Sequence, residues 1–161
     1  MKLRIKKLHK DAIIPKRSNP TDSGLDLCAI EDGVIHANCQ QMVHTGIAIQ
    51  LPKQLETNVY PTELGTNFRQ MITWEAQIRP RSGLAAKHGI TIVNTPGTID
   101  NHYRGEICII LRNESNEMFH YEQGDRIAQM VICPVVTPEI IEVKELDNTV
   151  RGDSGFGSTG K

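Results

Sequence analysis

Asp100 stands where this chain should turn, in Thr98-Ile99-Asp100-Asn101-His102-Tyr103-Arg104-Gly105. Gly97 precedes the segment, and Ile107-Cys108-Ile109-Ile110-Leu111, an apolar run of strand length, follows it. An acid, a stackable ring and a guanidinium on one tight hairpin suit the capture of a small ligand. Turn chemistry alone requires none of the three. Asp100 is therefore either a catalyst or a turn-former, and the choice decides what the protein does.

Other segments offer partners. Pro80-Arg81-Ser82-Gly83-Leu84-Ala85 puts an arginine and a hydroxyl at a predicted helix start. Free amides and the helix dipole favour an anion there, and Gly83 lets it approach the backbone. An ordinary capped helix is the alternative. Asp26, between Leu25 and Leu27, is an acid inside an apolar strand pattern, costly to bury without a partner. It could hold the waters of a hydrated Mg²⁺, or sit at a bend or edge. Asn94 can read an amide-like edge with its donor and acceptor, or form the turn before Pro96-Gly97. Gln129 shares a strand face with Ile127 and Val131 and is either edge-exposed or aimed at a ligand. The Gly/Ser-rich tail from Arg151 cannot pack a core and should be mobile on its own. Its arginine, Phe156 and hydroxyls can strap a phosphorylated ligand; a solubilising tail is the other reading. Gly155 to Lys161 imitates a Walker phosphate loop but lacks the flanking strand and helix. Arg151-Gly152-Asp153 is read as a coincidental adhesion tripeptide.

The elements that must position these residues look like short strands. Ile47–Leu51 and Ile127–Ile132 alternate in polarity, Leu3 and Ile5 suit an edge strand, and Ile140-Ile141-Glu142-Val143 reads as another. Asp32-Gly33, Pro96-Gly97 and Gly124-Asp125 punctuate them, so an all-β sandwich or barrel is predicted. One short helix is expected, capped by Ser82 and ended by Gly89. The 161 residues suit one domain, and a net charge of −1 argues against a broad nucleic-acid footprint. No apolar run has transmembrane length, and the basic start lacks a signal peptide's apolar core. Cys28, Cys39, Cys108 and Cys133 have no zinc spacing and read as reduced thiols, so a cytoplasmic protein with no membrane partner is expected.

In combination these segments resemble the trimeric dUTPases (deoxyuridine triphosphate nucleotidohydrolases). Five motifs occur in the family's order across nearly the whole chain: Ser23 to Leu27, Pro80 to Ala85, Asn94 to Gly105, Gly124 to Gln129, and Arg151 to Gly160. The resemblance implies a distorted jelly-roll or β-barrel over residues 1–150 and a flexible arm over 151–161. It implies a homotrimer with shared active sites that hydrolyses dUTP to dUMP and pyrophosphate with Mg²⁺. That reaction keeps uracil out of DNA and supplies dUMP for thymidylate synthesis. By position, Asp100 is the base that orients and deprotonates the attacking water, and Tyr103 lies under the deoxyribose. Asn94 and the hairpin backbone from Thr98 and Ile99 round to Cys108 read uracil. Arg81, Ser82, Gly83 and Gln129 meet phosphates, and Asp26 holds metal-bound waters. Arg151, Phe156, Gly157, Ser158 and Thr159 form the closing arm.

One departure is an apparent insertion at 53–74, which holds Tyr60, Phe68 and Trp74, three of the seven aromatics. A surface elaboration packed on its own subunit and a docking surface for another protein are both consistent with it. Two rival readings remain. A dCTP deaminase of the same superfamily would carry a catalytic Glu at about the position of Ile110, which cannot shuttle a proton. A regulatory protein would keep the fold and bind a partner through the insertion.

Overall fold

Runs of alternating polarity become strands, and most of them are short. The computed structural model describes residues 2–58 and 69–155. β1 (Arg4–Lys7), β2 (Leu25–Cys28), β3 (Gly33–Ile35), β4 (Gln40–His44), β5 (Ile47–Gln50), β6 (Leu55–Asn58) and β7 (Arg69–Arg79) lead to α1 (Ser82–His88). β8 (Ile90–Ile92), β9 (Gly97–Ile99), β10 (Cys108–Asn113), β11 (Phe119–Tyr121) and β12 (Arg126–Val136) follow. Every pairing is antiparallel. β1 pairs β5, β3 pairs β11, and β4-β10-β8 form a sheet. The largest sheet runs β2-β12-β7-β6, with β9 added to β7. Strands far apart in sequence lie side by side, giving the distorted jelly roll that the sequence predicts.

Burial follows the period of two. In β10, Ile109, Leu111 and Asn113 point inward, while Cys108, Ile110 and Arg112 face outward. β5 departs from its alternating sequence: Ile47, Ala48 and Ile49 are all buried. α1 starts one residue earlier than predicted. Arg81, in extended conformation, occupies the cap position and makes no side-chain cap bond; Ser82 is the first helical residue. Gly89 ends the helix as expected, at φ 65° with its N–H on the carbonyls of Ala85 and Leu84. That left-handed turn favours glycine.

One expectation needs correction. Ile140 to Val143 forms no strand. Ile140 is 94% and Ile141 70% exposed, and a strand without a neighbour to complete its ladder does not persist. The apparent insertion at 53–74 has strand structure at both flanks. Its flanks pair as β6 and the first part of β7, with Leu55 opposite Ile72 and Asn58 opposite Arg69. Trp74 belongs to β7 and packs against the core; Tyr60 and Phe68 lie outside the described residues. All four cysteines are free thiols. No helix among the described residues is long and apolar enough to cross a membrane.

Asn113 is fully buried and ties β10 to its surroundings. Its amide donates to the carbonyls of Ile35 (3.0 Å) and Glu117 (2.7 Å), and its oxygen accepts from Ser115 N (2.9 Å) and Oγ (2.8 Å). Losing a buried amide strands its partners at about 1–3 kcal/mol each. Asn113→Ala is expected to lower unfolding stability by about 2–4 kcal/mol in chemical denaturation at fixed protein concentration.

Candidate active site

The predicted site residues gather into two groups. The first centres on Asp26, whose side chain is 21% exposed on β2. Its carboxylate meets two guanidinia, Arg81 Nε at 3.3 Å and Arg126 Nη1 at 3.0 Å. Arg81 Nη1 also donates to the Arg126 carbonyl at 2.8 Å. The fold makes this cluster: β2 and β12 are neighbours, Gln129 pairs with both Asp26 and Arg79, and Arg81 follows β7 directly. Gln129 Nε2 donates to the Pro80 carbonyl at 2.9 Å, and its Oε1 lies against Gly24. Gln129 thus braces the turn that carries Arg81, Ser82 and Gly83, with its second amide hydrogen still available. Ser82 and Gly83 are exposed, and a Cβ at Gly83 would meet nothing within 4 Å. Two guanidinia around one carboxylate, next to a helix N-terminus, leave net positive charge at an open surface. Such an arrangement could serve as an anion grip.

The second group is the hairpin between β9 and β10. Asp100 is exposed at its start, and its backbone carbonyl accepts the Tyr103 N–H at 3.1 Å. No described side chain engages its carboxylate. Thr98 and Ile99 lie in β9, and Cys108 opens β10. Asn94 sits over Gly97, its Nδ2 3.3 Å from where a Cβ would stand, so a larger residue there would crowd the amide. The Tyr103 hydroxyl donates to the Glu106 carbonyl at 2.9 Å, holding the ring flat over Gly105. The arginine that looked ligand-facing is turned home. Arg104 Nη1 bonds the carbonyls of Asn101 and Tyr103, both at 2.7 Å. Asn101 Nδ2 pins the hairpin to the Pro52 and Trp74 carbonyls at 3.0 and 3.3 Å.

Glu106, His44 and Arg126 were not singled out by sequence reasoning. Glu106 Oε1 accepts the Gly46 N–H at 2.7 Å and Oε2 meets His44 Nδ1 at 3.0 Å, which anchors the hairpin's return strand. The hydrogen bond to Glu106 raises the His44 pKa, against partial burial. Burial would raise the Glu106 pKa, but hydrogen bonds from His44 and Gly46 outweigh it and lower it. Burial, followed by the Glu106 charge, pushes the Cys108 thiol up.

The two groups do not meet within one chain. Ile99 pairs with Ala76 and Gly97 with Ile78, so Asp100 falls beside Glu75. Arg79 is four residues further along β7, about 13 Å at the rise of a strand, and Arg81 lies beyond it. Arg151 is exposed and bonds the Ser154 carbonyl at 3.0 Å. Phe156, Gly157, Ser158 and Thr159 lie outside the described residues.

A family model described as dUTPase matches residues 10–63 and 54–160. The chain belongs to the dUTPase family. The deoxyuridine 5'-triphosphate nucleotidohydrolase of Nautilia profundicola is 50% identical over all of this chain and all of its own length. That of Gloeothece citriformis is 51% identical, covering 99% of this chain and 97% of the relative. Among solved structures, the dUTPase of Staphylococcus bacteriophage 80alpha with dUPNHPP superposes with a TM-score of 0.81 at 26% identity, over 99% of both chains.

In this dUTPase-family hairpin, Gly105 is glycine because Tyr103 needs its space. An added Cβ would overlap the Tyr103 hydroxyl and reach 2.6 Å from its Cζ. Gly105→Ala is expected to destabilise the chain by about 1–2 kcal/mol, and by almost nothing once Tyr103→Ala has removed the ring. Urea denaturation of the two single variants and the double variant measures that coupling.

Proposed function

We propose that this chain hydrolyses dUTP to dUMP and pyrophosphate with Mg²⁺, in a homotrimer whose active sites are shared between subunits. The reading rests on one observation: a free acid on the hairpin and an anion grip on β2, β12 and α1 are held apart by β7. A base must come within hydrogen-bond reach of the water it activates. The hairpin of one copy therefore faces the grip of another. The exposed apolar residues of the C-terminal stretch, Ile140, Ile141, Val143 and Leu146 at 56–94% exposure, support a neighbouring copy that covers them.

In this arrangement uracil lies along the hairpin from Asn94 and Thr98 to Cys108, read by backbone groups and the Asn94 amide. Tyr103 packs under the deoxyribose, its ring fixed by Glu106 and Gly105. Asp100 accepts a proton from water as its oxygen bonds to phosphorus and the bond to the departing pyrophosphate breaks. Arg81, Ser82 and Gly83 hold the phosphates, and Gln129 braces that turn. Positioning and charge neutralisation account for most of such a reaction's acceleration. Residues 1–150 form the β domain. Residues 151–161 close over the site, Arg151, Ser158 and Thr159 on the terminal phosphate and Phe156 over the base, and so exclude bulk water.

The chain fits Mg²⁺ held largely by substrate. A carboxylate offers about four acceptor sites, and Asp26 gives two to arginines, keeping room for metal-bound water. The one group of three ligating side chains among the described residues contains a thiol and lies elsewhere. Among the described residues no carboxylate cage competes with the phosphates, which suits an ion that keeps several waters. When bound, Mg²⁺ supplies charge neutralisation on the phosphates.

Ile110, opposite Met42 on β10, has no proton to transfer, which argues against deamination of dCTP. The expected result is pyrophosphate release from dUTP, with far less from dTTP, dCTP and UTP and no ammonia from dCTP. Asp100→Asn is expected to fold and bind a dUTP analogue while turnover falls about 10²–10⁴-fold. Near-normal turnover in that variant would remove Asp100 from the mechanism.

A further inference from the structure

His44, Glu106 and Cys108 do something that anchoring alone does not require. His44 and Cys108 are register partners across β4 and β10, so their side chains project from the same face. Glu106, two residues before Cys108, projects there too. The ligand atoms His44 Nδ1, a Glu106 carboxylate oxygen and Cys108 Sγ all lie within 4.8 Å of one another. Cys108 Sγ is 3.6 Å from His44 Nδ1, and Glu106 Oε2 is 3.0 Å from it.

Those separations suit a small, borderline-soft divalent ion. With bonds of about 2.3 Å to sulfur and 2.0–2.2 Å to nitrogen and oxygen, a tetrahedral zinc separates N from S by about 3.6 Å and N from O by about 3.4 Å. The first is met as it stands, and the second needs an opening of a few tenths of an ångström. The Glu106 oxygen turned away from His44 already accepts the Gly46 N–H at 2.7 Å. Such an outer partner aims a ligand. His44 is 40% and Glu106 26% exposed, which leaves solvent access for a fourth, water ligand. A thiolate among three ligands selects against Mg²⁺ and for zinc-like ions.

We propose that His44 Nδ1, Glu106 and Cys108 Sγ form a three-residue site for a zinc-like divalent ion at the base of the hairpin, separate from the Mg²⁺ that accompanies the phosphates. Coordination forms bonds to N, O and S, releases the thiol proton to solvent and leaves the His44 ring neutral with its one proton on Nε2. Because the Glu106 carbonyl also holds the Tyr103 hydroxyl, an ion here stiffens the segment that carries Tyr103. The site does not depend on the proposed hydrolysis.

The test is a titration of the full-length, chelator-stripped, reduced protein with Co²⁺, followed by competition with Zn²⁺. The expected result is a thiolate-to-cobalt charge-transfer band saturating at one ion per chain and bleached by Zn²⁺. Cys108→Ser should abolish the band. His44→Ala should weaken binding by more than the roughly 10–100-fold that loss of an outer partner costs. Cys133→Ser, on another strand, should behave as the parent. Circular dichroism of each variant checks folding. Absence of the band in the folded parent, or its survival in folded Cys108→Ser, would overturn the assignment.

Discussion

β7 is the constraint on which the site depends. It lies between β12 and β9 in the largest sheet, and its end enters α1. A strand paired on both sides cannot bend back, and it advances about 3.3 Å per residue. One end of this segment carries the grip, through Arg79, Pro80 and Arg81. Glu75, further back, sets the place of Asp100. The acid and the arginines are thus held by the same rigid element and kept apart by it. On the proposed reading, which needs both around one phosphate group, the chain borrows one from a copy of itself.

Each half is prepared for this in its own way. Around Asp26, one partly buried carboxylate between Arg81 and Arg126 holds two long cationic side chains in place. A pair so placed gives up solvation, and its net contribution to stability is small. Its value is geometric, since the guanidinia are oriented before an anion arrives. On the hairpin the preparation is steric. Gly105 admits the Tyr103 ring, the Glu106 carbonyl fixes its hydroxyl, and Asn101 fastens the loop to the Pro52 and Trp74 carbonyls. Asp100 remains exposed on a loop whose other polar groups are largely engaged.

Much of this was legible in the sequence, and the failures share a cause. The turn at Asp100, the strand after it, the helix ended by Gly89 and the odd, partly buried acid at Asp26 are local signals, and each stands in the structure. The Arg126 partner of Asp26 lies 100 residues away and the His44 partner of Glu106 lies 62 away, where spacing carries no information. Ile140 to Val143 has a strand's composition without a strand's neighbour. Ser82 has a cap residue's chemistry, but the chain turns one position earlier. The flanks of the 53–74 segment were assigned no strand, because the pairing of β6 with β7 across it is not a local signal. The role of Asp100 could not be settled from its own turn, and its proposed part in activating water rests on the five motifs together.

The central claim is that two copies build one site, and mixed trimers test it most directly. Asp100→Asn and Arg81→Ala should each be nearly inactive alone. If hairpin and grip come from different subunits, a 1:1 mixture dissociated and reassembled together should recover about a quarter of the parent's pyrophosphate release, as random assortment requires. A mixture that assembles into trimers and stays as inactive as its components would contradict the claim, because it would place the acid and the arginine of each site on one chain.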